Sequence, residues 1–283
     1  MTELFANING IKLCYEVKGE GEHVLLVHGF GDRKEHWRGQ FDYLSKYFKT
    51  IRLDNRGAGK SDRPDMVYKM DVYVDDIKGL LDFLNIEKTN IIGHSLGGMI
   101  VQNMAIKYPN RVNKIILINT IAGMTPPGVS PDQGIEMYRK NAIAGLKQME
   151  KDPLNAFLNG AKNSYSRDFW KKMKENPKHK FHGIWSVDDL IKEKNEYGPT
   201  EKDINHQAEA LKSHNVYEKL HEIQNEVLII AAEKDKSCPK IMNEKIHELL
   251  PNSKFIVIEK AAHQSILEYP NIINQHIVKF LKN

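Results

Sequence analysis

Ten residues, Asn90-Ile91-Ile92-Gly93-His94-Ser95-Leu96-Gly97-Gly98-Met99, constrain this chain more than any other stretch. A short apolar run, Thr89 to Ile92, enters Gly93-His94-Ser95-Leu96-Gly97, and a helical pattern leaves it from Leu96 to Lys107. Gly-x-Ser-x-Gly between a strand and a helix demands a sharp turn with the serine at its tip. Gly93 and Gly97 carry no Cβ, so strand and helix can pass close to each other on either side. The Ser95 hydroxyl is thereby lifted clear at a helix N-terminus, where free N–H groups and a partial positive charge favour developing negative charge. The same five residues can also make only a tight connection. The rest of the chain must therefore supply a base, an acid and an oxyanion hole.

The flanking pattern is α/β. Glu3–Ala6 and Ile11–Val17 around Asn7-Ile8-Asn9-Gly10 predict a hairpin. His23-Val24-Leu25-Leu26-Val27 is nearly continuous in apolar residues, as expected of a strand buried on both faces. It ends in His28-Gly29-Phe30-Gly31-Asp32, a glycine-rich loop whose backbone N–H of Phe30 is placed to meet an oxyanion together with that of Leu96; alternatively the loop is a plain turn. His28 is expected to be structural in either case. A helix over Glu35–Phe48, a strand over Thr50–Leu53 and an amphipathic helix over Asp71–Leu84 follow, and Lys114–Asn119 is a further strand. Alternation of this kind implies a mostly parallel central sheet with helices on both faces, and ligands bind outside the carboxyl ends of such strands.

Between them lies Asp54-Asn55-Arg56-Gly57-Ala58-Gly59-Lys60-Ser61-Asp62. Its glycines hint at phosphate binding. The Walker order is absent, however, because Asp54 stands where the first glycine should be. A structural loop whose charges bond one another is expected. From Ile121 to about Asp203 the alternation stops, and only helical segments appear, carrying Trp170, Phe181, Trp185 and many lysines. So long a stretch must fold on something. We read it as a helical lid, residues 121–203, inserted in a core of 1–120 and 204–283. Its aromatic residues either line a pocket or glue the lid to the core. The strand pattern resumes at Glu226–Ala231, with Asp235 just beyond, then a helix from Pro239. The last strand is Lys254–Ile258, with His263 just beyond, and a closing helix spans 270–281.

Composition excludes several classes. Hydrophobic residues make up 41%, enough for a sizeable core, yet no run approaches the ~20 apolar residues of a membrane helix. The net charge of +4 is too small and spread out to argue for nucleic acid. Met1-Thr2-Glu3-Leu4-Phe5 has no basic start followed by an apolar stretch, so no signal peptide is expected. Cys14 and Cys238 lie far apart, form no metal-binding pair and read as free thiols of a reducing, cytoplasmic setting.

Three candidates follow the ends of three strands in the order Ser95, Asp235, His263. A serine hydroxyl needs a base during attack. An imidazole such as that of His263 has the pKa to take the proton and return it to the leaving group. A carboxylate at Asp235 would orient the imidazole and stabilise its cation.

With these pieces in place the chain resembles the α/β-hydrolase family over nearly its whole length. The likeness rests on His28-Gly29-Phe30-Gly31, Asp54 to Ser61, Gly93-His94-Ser95-Leu96-Gly97-Gly98, Ala232-Glu233-Lys234-Asp235 with Pro239, and Ala262-His263. Ala232 and Ala262 stand where relatives often have glycine. The resemblance implies a cap after the sixth strand, where the insertion lies. In some relatives the acid also follows that strand; here the strand ends in Asn119, which favours Asp235. An aspartate nucleophile would imply a dehalogenase or epoxide hydrolase, whereas this elbow holds Ser95. Carbon–carbon bond hydrolases often carry Asn before the serine, where this chain has His94. Proline iminopeptidases usually have Trp after it, where this chain has Leu96.

The expectation is a serine hydrolase acting on a small-molecule carboxylic ester or lactone, with Ser95, Asp235 and His263 as triad and the Phe30 and Leu96 N–H groups as oxyanion hole. No metal or organic cofactor, nucleic acid or membrane is called for. Phe30, Trp37, Met99, Met124, Trp170 and Trp185 are expected to shape an apolar substrate pocket. The rivals are carbon–carbon hydrolysis or cofactor-free perhydrolysis at the same site, and a ligand receptor with slow hydrolysis.

Overall fold

The computed structural model describes residues 2–123 and 131–283. The chain opens with β1 (Leu4–Ile8) and β2 (Ile11–Lys18), an antiparallel hairpin that pairs Ile8 with Ile11. Asn9 and Gly10 both take positive φ, 46° and 76°, as a tight primed hairpin turn requires. Next come β3 (His23–Val27), α1 (Arg38–Leu44), β4 (Lys49–Leu53), α2 (Met70–Phe83), β5 (Thr89–His94), α3 (Leu96–Lys107) and β6 (Val112–Ile118). Five helices follow: α4 (Pro131–Met149), α5 (Pro153–Ser164), α6 (Arg167–Glu175), α7 (Val187–Tyr197) and α8 (Glu201–Lys212). The chain closes with β7 (Val227–Ala232), α9 (Lys240–Leu249), β8 (Ser253–Ile258), α10 (Ser265–Glu268) and α11 (Pro270–Lys282).

The eight strands form one sheet in the order β1-β2-β4-β3-β5-β6-β7-β8. From β4 to β8 every pairing is parallel, and the hairpin adds an antiparallel margin. Side chains alternate between two cores, as the twofold period of a strand dictates. Leu25, Val27, Ile91, Ile115, Leu117 and Ile229 pack with α2 and α3 on one face. Val24, Leu26, Ile92, Ile116, Ile118 and Ile230 pack with α1 and α11 on the other. Both faces are covered, so the strands read as unbroken apolar runs.

The glycine-rich loop after β4 is held by its own charges. The buried carboxylate of Asp54 accepts the Lys34 and Lys60 backbone N–H groups at 2.7 and 3.0 Å and faces the Lys34 ammonium at 3.3 Å. Arg56 donates two hydrogen bonds to Asp76 of α2, at 2.5 and 2.6 Å. The loop is structural, but its charges bond groups outside it, Lys34, Asp76 and Glu3, rather than one another as the sequence pattern suggests.

Helices α7 and α8 begin with capping boxes, Ser186 with Asp189 and Thr200 with Asp203, a pairing that satisfies two orphan N–H groups at each helix start. Asp203 also pairs with Arg63 of the core loop, so the cap of α8 doubles as its anchor. Residue 203, where the sequence pattern places the end of the insertion, falls inside α8. That helix buries Ala208 and Leu211 in the core shared with α2, while its other side meets α4. Cys14 and Cys238 are free and buried. Among the described residues no helix is long and apolar enough to cross a membrane.

Candidate active site

Ser95 stands at the junction of β5 and α3 with φ 55° and ψ −122°, a conformation a side chain adopts only where its surroundings enforce it. The glycines explain the enforcement. A Cβ on Gly93 would lie 2.4 Å from the Gly97 carbonyl oxygen, and one on Gly97 would lie 2.0 Å from that of Val27. Any larger residue at either position would force the strand and helix apart.

The Ser95 hydroxyl oxygen is 3.1 Å from Nε2 of His263, which follows β8. Nδ1 of His263 is 2.8 Å from Oδ2 of Asp235, which follows β7. A carboxylate accepts, so Nδ1 carries the proton and Nε2 turns its lone pair to the serine. Asp235 is fixed from the other side, since its Oδ1 accepts the N–H groups of Ser237 and Cys238 at 2.7 and 2.9 Å. Burial works to raise the Asp235 pKa, but His263 and the two N–H groups outweigh it and hold the carboxyl below its ordinary value. Burial works to lower the His263 pKa, and the Asp235 carboxylate outweighs that too, so the imidazole sits above its ordinary value.

The loop after β3 presses against the elbow: a Cβ on Gly29 would come 3.1 Å from Cβ of Ser95. His28 is buried, takes the Asn55 N–H on Nε2 at 3.0 Å and gives its Nδ1 proton to the Gly29 carbonyl at 2.9 Å, a wholly structural arrangement. Among the described residues the N–H groups of Phe30 and Leu96 meet no hydrogen-bond acceptor.

Several supporting residues carry no sequence signature. Gln207 of α8 accepts the Gly31 N–H at 2.8 Å and donates to the Gly57 carbonyl at 3.2 Å, tying the loop after β3 to the loop after β4. Asn119, just past β6 with φ 47°, donates to the His263 carbonyl at 2.8 Å and accepts the Ala232 N–H at 2.8 Å. Nε2 of His94 donates to the same His263 carbonyl at 2.9 Å, and Nδ1 of His94 lies 3.3 Å from Nε2 of His36. Burial drives His36 and His94 well below the ordinary imidazole pKa, so both are neutral. Of these, Asn119 and His94 were visible in the sequence as polar residues at strand ends. Gln207 is 176 residues from the loop it holds, and nothing in its spacing betrays that.

The aromatic candidates divide differently from the sequence expectation. Trp37 and Trp185 are 0% and 1% exposed inside the core that α1, α11 and the inserted helices share, so neither offers a face to a substrate. Trp185 belongs to a ring cluster with Tyr165, Phe169 and Phe181, which joins the inserted segments to one another. Trp170 is half-buried, donates its indole N–H to the Leu158 carbonyl at 2.7 Å, and lines a cavity that Ser95 and His263 do not reach. Met99 is buried in α3, one turn past Ser95. Met124 lies outside the described residues. Phe30 is half-buried, and Tyr138 of α4 packs on it edge to face, with centroids 4.9 Å apart. Tyr138, which the sequence pattern did not single out, thus brings an inserted helix to the rim of the loop.

Among the described residues three clusters offer metal-ligating atoms within 4.8 Å of one another, Asp235-Cys238-His263, Asp32-His36-His94 and Glu3-Glu16-Glu35, the last with its carboxylates paired to Lys34, Lys60 and Arg52. In the first, Nδ1 of His263 is committed to Asp235, and burial keeps the Cys238 thiol protonated by pushing its pKa well up. In the second, both nitrogens of His94 are engaged by His263 and His36. The first set thus lacks free, deprotonated donors, and the second keeps only Asp32 and Nδ1 of His36, fewer than a metal site normally uses.

Comparison with known proteins bears on the family and the fold. An uncharacterized protein of Mycobacterium tuberculosis is 35% identical over 145 residues, which cover 51% of this chain and 41% of that protein, so the match spans less than half the length of this relative. A putative carbamate hydrolase of Agrobacterium fabrum is 26% identical over 94% of this chain and 97% of its own. The crystal structure of the enol-lactonase of Burkholderia xenovorans LB400 superposes with a TM-score of 0.82, covering 99% of this chain and 100% of that one at 21% identity, a likeness of fold. The family model for the alpha/beta hydrolase fold matches residues 22–270, and the chain belongs to that family.

Proposed function

We propose that this protein is a serine hydrolase that cleaves a carboxylic ester or lactone of a small molecule through an acyl-enzyme. The observation that carries the reading is the continuous chain Ser95–His263–Asp235, with contacts of 3.1 and 2.8 Å, at the N-terminus of α3. Ser95 attacks the acyl carbon while Nε2 of His263 takes its proton. The imidazolium that forms is held by Asp235, whose position is fixed by the Ser237 and Cys238 N–H groups. The oxyanion is received by the N–H groups of Phe30 and Leu96, which have no other acceptor among the described residues. Each such donor is worth roughly 3–4 kcal/mol of barrier. His263 then gives its proton to the leaving oxygen, and a water, deprotonated by the same imidazole, releases the acyl group.

The test is hydrolysis of a p-nitrophenyl ester series, acetate to decanoate, by wild type and Ser95→Ala. Wild type is expected to turn over, and the variant to lose at least about 10³-fold in kcat; equal inertness of both would remove the ester reading. A carbamate is the second reading, favoured by the relative of Agrobacterium fabrum, whose putative activity bears that name. Its acyl carbon is open to the same attack, and a p-nitrophenyl carbamate in the same assay separates the two.

A further inference from the structure

The cavity that Trp170 lines, of about 680 Å³, opens between α5 and α6 on one side and the loops after β7 and β8 on the other. Three rings form its floor: Tyr165, which is buried, and Trp170 and Tyr269, which are half-buried. Its rim carries Lys162, Arg167, Lys171, Lys236 and Lys260, all exposed, and none has a carboxylate within ion-pair distance among the described residues. A sixth cation, Lys234, is neutralised by Glu233 at 2.7 Å. Asp168 is the only carboxylate among the lining residues.

Five cations against one carboxylate leave an excess of four, as large as the +4 of the whole chain. Some exposed lysines elsewhere are paired, as Lys107 is with Asp75 at 2.7 Å and Lys202 with Asp65 at 2.8 Å, while others, such as Lys69, Lys88 and Lys219, stand scattered over the surface. What sets this place apart is that five such cations share one concave mouth, where low-dielectric walls focus their field. Like charges crowded there repel one another, and an anion that enters relieves the repulsion. An inorganic ion would leave the rings uncovered, whereas an apolar body bearing the anion would cover them.

We propose that this cavity binds a small organic anion, its flat or apolar body on Tyr165, Trp170 and Tyr269 and its carboxylate or phosphate groups on the rim of lysines and Arg167. The site is separate from Ser95, which does not line it, and the proposal does not depend on the chemistry there. Its walls nevertheless include Lys234 and Lys236, which flank Asp235, so an occupant touches the loop that carries the carboxylate of the candidate triad.

Calorimetric titration of the full chain with phenyl phosphate, phthalate and methyl phosphate at physiological ionic strength tests this. Saturable one-to-one binding of at least one ring-bearing anion is expected, with methyl phosphate weaker, and comparison of the two ring-bearing anions tells phosphate from carboxylate. Lys162→Glu with Lys171→Glu should weaken it by about tenfold or more, with circular dichroism and melting temperature unchanged. Should that pair misfold, Arg167→Ala serves as the milder change and should still weaken binding measurably. Absence of saturable binding, equal affinity for methyl phosphate, or affinity indifferent to the folded rim variants would overturn the proposal.

Discussion

At His263 two opposed effects meet. Burial alone would favour the neutral ring, yet the Asp235 carboxylate 2.8 Å away outweighs it and raises the pKa above 6.5. In the proposed mechanism the free base is the working form, so activity should fall as pH drops through that raised pKa, and the acid limb of kcat/KM should lie above the ordinary histidine value. Asp235→Asn removes the anion that stabilises the imidazolium. The limb should then move to lower pH, and kcat should fall by about 10⁴-fold as the imidazole loses its tautomer and orientation. A pH–rate profile of the variant checks both, and an unmoved limb would remove Asp235 from the role. The three residues were legible in the sequence because each follows an apolar run that could only be a strand. The tryptophans were not, because an aromatic side chain in a polar helical stretch reads alike whether it faces a ligand or, as Trp185 does, a buried ring cluster.

At the scale of the element, α8 decides how the loop after β3 is held. Gln207 bridges Gly31 and Gly57 from this helix, and Asp203 anchors the helix to Arg63. In the proposed mechanism Gln207 is a positioning residue: it holds the Gly31 N–H, next to the Phe30 N–H proposed for the oxyanion, without touching the reacting atoms. Gln207→Leu should lower kcat about 10- to 100-fold through displacement of that donor, with KM little changed. Gln207→Glu, which keeps an acceptor for the Gly31 N–H, should recover part of the loss. Steady-state kinetics on one ester checks this, and a pure KM effect would contradict it. The strands and helices around β3 to β6 were legible within a few residues, because hydrophobic period and glycine turns agree there. Residue 203, the expected end of the lid, falls inside α8, a helix that meets α4 and also buries Ala208 and Leu211 in the core shared with α2.

At the scale of the whole molecule, the inserted helices and the sheet are joined by buried polar contacts as well as by the apolar core they share. Glu268 of α10 is 2% exposed and accepts the Ser166 N–H at the start of α6 at 2.7 Å. Burial raises its pKa from 4.5 to about 7. Between those values the folded chain holds a proton that the unfolded chain has lost, so this group's contribution to stability falls as pH rises through that window, by up to about 3 kcal/mol. Glu268→Gln should remove that slope, so urea midpoints of wild type and variant at pH 5 and pH 8 should converge in acid and separate in base; parallel behaviour would contradict it. The double core, the covered sheet and the elbow at its centre follow from hydrophobic pattern, whereas long-range polar ties such as Glu268 to Ser166 need the assembled chain to be seen. All of this architecture converges on one hydroxyl, and the most direct measurement is the intact mass of the protein quenched in acid during turnover of a p-nitrophenyl ester. An acyl adduct on the peptide that holds Ser95, absent in Ser95→Ala, is the expected result. Turnover with no adduct, and equal turnover by Ser95→Ala, would contradict an acyl-enzyme at Ser95.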